Sequence, residues 1–123
     1  MSRLKEIQDS QQQTQIEEVL REASRSPRIG LMLLSAKMER AARGLASDFS
    51  VGVSRTNLSL SMLIRQLVEA EQLTREDAAT LGLFNQVRNR IVHGHDAEET
   101  EIARAIDSGT RLLRILLARQ RSR

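Results

Sequence analysis

The sequence contains no cysteine, no tryptophan and no tyrosine, and it has one proline and two phenylalanines. Without cysteine the chain forms neither disulfides nor thiolate metal sites, and the reducing cytoplasm is the simplest compartment to expect. No apolar run approaches the roughly 18–20 residues that span a bilayer. The first residues also lack the apolar segment of a signal peptide. We therefore expect a cytoplasmic protein that makes no membrane contact.

The scarcity of aromatic side chains argues against one mode of nucleic-acid binding, because proteins that bind single strands usually stack bases on aromatic rings. The formal charge is +3, from 19 basic and 16 acidic residues, and two of the basic residues are lysines. Arginine is the better residue for paired hydrogen bonds to phosphate or carboxylate. Since the acidic residues are interspersed, most of these arginines are expected to be solvated surface charges.

Composition and apolar spacing predict an all-α bundle, because good helix formers dominate and no alternating strand pattern occurs. The predicted helices span residues 2–24, 27–47 and about 57–73, then a fourth that opens at Thr74 and stops at Gly94, and a fifth that runs to about Arg119. Residues 48–56 form the longest expected loop. The second helix, nearly apolar at its start, is expected to be central.

The domain division expected from these elements is an N-terminal helix or arm over residues 1–26 and a bundle of four core helices over residues 27–123. The first helix has sparse apolar positions, so it is expected to be mobile or to pack across a partner subunit. Local signals predict several boundaries: Ser26 before Pro27 as an N-cap, and capping boxes at Thr74/Asp77 and Asp96/Glu99. Gly109 would permit close helix approach.

The chemistry-bearing stretch is residues 88–95, which holds both histidines, an arginine pair and a glycine. Arg88, the polar Asn89 after it, and His93 after four intervening residues resemble the motif of HEPN domains, a superfamily of small helical bundles. The family pattern separates an arginine from a histidine by four to six residues, commonly with a polar residue after the arginine. The resemblance covers roughly residues 27–118 and implies a HEPN-like bundle.

Many HEPN proteins are metal-independent endoribonucleases that act as homodimers, with the two motifs meeting across the interface. The resemblance therefore implies catalytic roles for Arg88, Asn89 and His93, an RNA substrate and no cofactor. It further implies a toxin or defence component whose activity an antitoxin-like protein partner restrains. Weaker supporting or RNA-binding roles are expected for three neighbouring or packed residues, Glu39, Arg90 and His95.

The chemical properties of these side chains also fit RNA cleavage, independently of the resemblance. An ordinary imidazole, with a pKa of about 6.5, exchanges protons near neutral pH, and a guanidinium stabilises the negative charge of a phosphorane. Two motifs on a two-fold axis would supply a matched acid and base. Arg88 and His93 are five residues apart, about 140° around a helix. They converge only if the helix end distorts or a partner subunit completes the site.

Each motif residue also has a structural interpretation. Arg88 would pair with a carboxylate such as Glu39. Asn89 would be a polar residue near a helix end, and His93 would be favoured there by the helix dipole. Arg90 would be a surface charge and His95 a loop residue, while a metal site at the two histidines lacks further ligands.

The alternative function is a non-catalytic helical module that binds RNA or a protein partner. A third possibility is one domain of a larger protein, with the first helix as a connector.

Overall fold

The computed structural model describes residues 3–48 and 59–121, which form five α-helices and no strand. The helices are α1 (Arg3–Arg25), α2 (Pro27–Asp48), α3 (Leu60–Glu69), α4 (Arg75–Val92) and α5 (Glu99–Arg121). The all-α prediction is therefore confirmed. Residues 49–56 of the expected loop and the expected start of the third helix near Asn57 lie outside the described residues. None of the described helices is both long and apolar enough to cross a membrane.

Helix α2 is the centre of the bundle, as its apolar start predicted, because it contacts each of the other four helices. It runs antiparallel to α1, since Gly30 lies against Ala23 near the connection while Lys37 reaches back to Glu18. It runs parallel to α5: Leu34 meets Gly109, and ten residues further along Gly44 meets Gln120.

The core contains the inward-facing side chains of all five helices. Its largest fully buried members are Phe84, Ile16, Leu31, Leu34, Met38, Leu45, Leu63, Leu67, Leu81, Ile102, Leu113 and Leu116. The predicted close approach at Gly109 is confirmed. A Cβ atom there would lie 2.7 Å from Leu34 Cδ2 and 3.0 Å from the Phe84 ring. The glycine thus lets α5 come close to α2 and α4, which fixes the inner side of α4 against the core.

Helix α1 is joined to the bundle through its C-terminal half. Ile16 and Val19 are fully buried in the common core, whereas Ile7 in the first half is 47% exposed. The Lys37 ammonium also donates to Gln15 and lies 2.7 Å from a Glu18 carboxylate oxygen. The hydrogen bond from Lys37 to Glu18 lowers the pKa of the Glu18 carboxyl below its usual value. The domain boundary expected at residue 26 stays a prediction.

Hydrogen bonds of capping side chains confirm two of the predicted helix starts. The Ser26 hydroxyl accepts from the Ile29 N–H at 3.3 Å, and Thr74 and Asp77 form the expected reciprocal capping box. At these positions the sequence signal and the local geometry agree because the cap depends on residues within one turn.

Two other boundaries differ from the prediction. The expected capping box at Asp96 and Glu99 is wrong: α5 begins at Glu99, and the Glu101 carboxylate accepts from the Glu98 N–H at 3.2 Å. Helix α3 ends at Glu69 instead of near Leu73, because Glu71 adopts a φ of 60° and reverses the chain. A residue other than glycine in this left-handed conformation is uncommon, so composition did not indicate it.

Candidate functional site

Helix α4 ends within the motif stretch, residues 88–95, in a common type of helix C-terminus. The helix continues to Val92, and Gly94 then takes a φ of +78°, which favours glycine. The Gly94 N–H donates to the Ile91 carbonyl at 3.1 Å and the His95 N–H donates to the Arg90 carbonyl at 2.7 Å. These two bonds form a Schellman motif, which satisfies carbonyls at the end of the helix. The predicted stop at Gly94 is therefore confirmed.

Arg88 is half-buried and has no carboxylate partner among the described residues. Its Nη1 donates to Asn89 Oδ1 at 2.9 Å, while its Nε is buried and forms no hydrogen bond within the described part of the chain. The ion pair with Glu39, considered as a structural role for Arg88, does not form. Glu39 instead accepts from Arg43, one turn along α2, at 2.7 Å. Arg88 therefore forms no ion pair within residues 3–48 and 59–121.

A surface cavity of about 330 Å³ surrounds this arginine, and we call it the α3–α4 cavity. Helix α2 contributes Glu39 to it, the start of α3 contributes Ser59, Leu60 and Ser61, and α4 contributes Asn85, Arg88 and Asn89. The Asn85 Oδ1 atom is buried and has no hydrogen-bond partner in residues 3–48 and 59–121. A buried polar group left unsatisfied costs about 1–3 kcal/mol. Two such atoms, Asn85 Oδ1 and Arg88 Nε, belong to residues three apart on α4.

Sequence reasoning missed Asn85 and the two serines of this cavity. A signal for Asn85 was present, because it lies three residues before Arg88 and four before Asn89, which is the spacing of neighbours on a helix face. Ser59 is the N-cap of α3, and its hydroxyl accepts from the Met62 N–H at 3.3 Å. The serines lack a comparable signal because their distance from α4 depends on how the helices pack.

Arg90 lies in a different environment on the same helix. Its Nη2 is 2.6 Å from a Glu101 carboxylate oxygen, and its side chain is 41% exposed. The hydrogen bond from Arg90, followed by that from the Glu98 N–H, lowers the pKa of the Glu101 carboxyl. A surface depression of about 640 Å³, here the α4–α5 groove, is lined by Leu83, Gln86, Val87, Asn89, Arg90 and Glu101. Asn89 thus borders both depressions.

His93 is the exposed residue that follows the last turn of α4. Its N–H donates to the Asn89 carbonyl at 2.9 Å, so the backbone is still close to helical at this position. Because the helix is regular from Arg88 to Val92, five residues place the two side chains about 140° apart. His93 lines neither the α3–α4 cavity nor the α4–α5 groove. His95 is also exposed and lies beyond the helix.

The structure therefore brings together Glu39, Arg88 and Asn89 in one cavity, and Asn89 and Arg90 in one groove. It leaves both histidines at the solvent-exposed end of α4. The Asn89 side-chain oxygen is directed to Arg88 and not to the His93 ring. Among residues 3–48 and 59–121, no group of three or more histidine, aspartate or glutamate side chains could hold a metal ion.

Comparison with known proteins adds no relative: no family model, curated protein or solved structure matches this chain. The function must therefore be inferred from the geometry and chemistry of the site.

Proposed function

We propose that this protein is a metal-independent endoribonuclease of the HEPN type, with Arg88, Asn89 and His93 as catalytic residues. The observation that carries the proposal is the state of Arg88. It occupies the motif position, borders an open polar cavity and has no carboxylate partner among the described residues. A guanidinium without a countercharge at a surface cavity is suited to a phosphate group.

The reaction uses the 2′-hydroxyl of the RNA as the nucleophile. A His93 imidazole removes the hydroxyl proton, the 2′-oxygen attacks the adjacent phosphorus, and the bond to the 5′-oxygen of the next nucleotide breaks. A second imidazole, which enters the reaction protonated, gives its proton to that leaving oxygen and ends neutral, while the first ends protonated. Arg88 donates hydrogen bonds to the phosphorane oxygens while they gain negative charge. Asn89 holds the guanidinium through its side-chain oxygen. The products are a 2′,3′-cyclic phosphate and a 5′-hydroxyl.

The proposal includes a homodimer, because one protomer holds one motif histidine and turns it away from its own Arg88. A partner related by a two-fold axis at the end of α4 would supply the second imidazole and bring His93 towards the opposite Arg88. An exposed apolar side chain beside His93 suits such a contact, because Val92 is 49% exposed. Burial of Val92 would favour association.

The cellular setting that we propose is the cytoplasm, where the enzyme acts as a toxin or defence component. An unrestrained ribonuclease would damage the RNA of its own cell, so an inhibitory, antitoxin-like protein that covers the end of α4 belongs to this proposal.

The test is RNA cleavage in excess EDTA by the wild type, His93→Ala and His95→Ala. His95→Ala is the matched control because it removes an exposed imidazole two residues away, outside the motif spacing. We expect cleavage with 2′,3′-cyclic phosphate ends by the wild type and His95→Ala, and a loss of about 10²–10⁴-fold in His93→Ala. Full activity in a clean preparation of His93→Ala would refute the proposal.

The second candidate is a non-catalytic helical module that binds RNA or a protein partner. The exposed Leu83 and Val92 favour a protein partner. Negligible cleavage by folded wild-type protein, together with loss of dimerisation in Arg88→Ala, would favour this module over the nuclease.

A further inference from the structure

A small pocket lies where α1, α2 and α5 meet, and none of residues 88–95 lines it. We call it the α1–α2–α5 pocket, and its volume is about 170 Å³. Pockets for drug-sized ligands have roughly 300–1,000 Å³, so this one suits a single small group. Among the described residues no aspartate or glutamate lines it, and its polar side chains are those of Gln15, Lys37, Arg40 and Gln120.

The polar side chains of the pocket offer hydrogen-bond donors. The Lys37 ammonium donates to Gln15 Oε1 and to Glu18, which leaves one of its three N–H groups. The Gln15 oxygen is thus engaged, and its two amide N–H groups remain. Gln120 extends over Gly44, where a Cβ atom would overlap the Gln120 amide nitrogen, so this amide lies on the α2 side of the pocket. A ligand that accepts hydrogen bonds is therefore favoured.

The positive charge that remains at the pocket is that of Arg40. The Lys37 ammonium lies 2.7 Å from a Glu18 carboxylate oxygen and is neutralised by it. Arg40 is exposed and forms no ion pair among the described residues. The adjacent carboxylate of Glu39 accepts from Arg43 instead. Since a guanidinium carries five donors that match oxyanions, the ligand that complements this pocket is an oxyanion.

We propose that the α1–α2–α5 pocket binds a phosphate group. Its donors come from three helices, and a phosphate group carries acceptor oxygens at the corners of a tetrahedron, whereas the two oxygens of a carboxylate lie in one plane. Arg40 supplies the charge, and the amides of Gln15 and Gln120 supply further hydrogen bonds. Both a free phosphate ion and an RNA backbone carry this group. Because the pocket is separate from residues 88–95, phosphate binding there does not depend on the proposed nuclease.

The test is an NMR titration of the side-chain amide signals of Gln15 and Gln120 with sodium phosphate, and with sodium acetate at the same ionic strength. The variants are Arg40→Gln and Gln120→Glu. Arg28→Gln is the control for the first, because Arg28 is also exposed on α2 but does not line the pocket. Gln86→Glu is the control for the second, because Gln86 lines the α4–α5 groove. Each substitution changes the net charge equally, and circular dichroism checks folding.

We expect phosphate to shift both signals in the wild type more than acetate does. Arg40→Gln should weaken phosphate binding at least about tenfold, which corresponds to the loss of one hydrogen bond to a charged group. Gln120→Glu should weaken it as much, since a carboxylate in the pocket repels the anion. Both control variants should bind like the wild type. Equal shifts with acetate and phosphate, or equal phosphate binding by all four variants, would overturn the proposal.

A single-stranded 2′-O-methyl RNA, which lacks the 2′-hydroxyl needed for cleavage, identifies the source of the phosphate group. If Arg40→Gln binds this RNA more weakly than Arg28→Gln does, the RNA backbone supplies the phosphate. If the two variants bind RNA equally but still differ in their affinity for inorganic phosphate, the ligand is a small phosphate compound.

Discussion

Arg88 and Arg90 are two residues apart on α4, yet they end in opposite electrostatic states. Arg90 is joined to Glu101 at the start of α5, while Arg88 lies in the α3–α4 cavity without a carboxylate partner among the described residues. Two residues turn a helix by about 200°, so the arginines face different neighbours. The difference teaches that the role of a motif arginine depends on what the adjacent helices offer it.

The neighbours explain why the two sides differ. The α5 side offers a carboxylate that already accepts from the Glu98 N–H and therefore holds a fixed position for Arg90. The α2 side offers Glu39, but this carboxylate accepts from Arg43 within its own helix. One arginine thus joins two helices, and the other forms no ion pair within the part of the chain that the structure describes.

The largest expected effect separates the two arginines by activity. Arg88→Ala should reduce RNA cleavage by about 10²–10³-fold, because it removes hydrogen bonds made to the transition state. Arg90→Ala should reduce it by less than about tenfold, since its charge is already neutralised by Glu101. The measurement is kcat/KM on one RNA for both folded variants. An equal loss of kcat/KM in the two variants would contradict the proposed difference between Arg88 and Arg90.

A smaller effect concerns the proposed homodimer, in which a second subunit would bring its motif histidine towards Arg88. Val92→Lys should weaken self-association at least about tenfold, because a buried lysine without a partner is unfavourable. Ile29→Lys is the control, since Ile29 is 58% exposed but lies on α2 and not on α4. Sedimentation equilibrium measures both dissociation constants. If Ile29→Lys disrupts the dimer and Val92→Lys does not, the proposed interface is misplaced.

The smallest effect concerns the Arg90 side and its dependence on pH. The folded-state pKa of Glu101 is lowered, first by the hydrogen bond from Arg90. Its contribution to stability is therefore present above the unfolded-state pKa of about 4.3 and is lost as the pH falls through the folded-state value. The difference in unfolding free energy between wild type and Glu101→Gln should be largest near neutral pH and shrink in acid.

Urea unfolding at pH 7 and at pH 3 measures that difference, with Glu99→Gln as the control on the first turn of the same helix. If the difference in unfolding free energy between wild type and Glu101→Gln is the same at both pH values, the hydrogen bond from Arg90 to Glu101 does not stabilise the fold as described.

The sequence was sufficient to predict those structural features that depend on residues within one or two helical turns. The caps at Ser26 and Thr74, the stop at Gly94 and the central position of α2 followed from local residue types and from apolar spacing. The start of α5 did not, because Glu101 both caps that helix and binds Arg90 on α4. A carboxylate shared between two helices leaves no signal in the spacing of one.

The candidate site shows the same division between local and tertiary information. Spacing predicted correctly that Arg88 and His93 point in different directions around α4. It did not indicate that Glu39 would prefer Arg43, or that Asn85 and Arg88 would each bury an unsatisfied atom. Both results depend on how α2, α3 and α4 pack together, and a single sequence does not specify which of several carboxylates an arginine meets.

The central claim is that RNA cleavage needs the motif histidines of two subunits, and subunit dilution tests it most directly. Wild-type protein is refolded together with an increasing excess of inactive His93→Ala subunits, and EDTA-resistant cleavage is measured at constant total protein. If acid and base come from different protomers, mixed dimers are inactive and activity falls with the square of the wild-type fraction. Activity that falls in direct proportion to the wild-type fraction would contradict the claim, because each protomer would then cleave RNA alone.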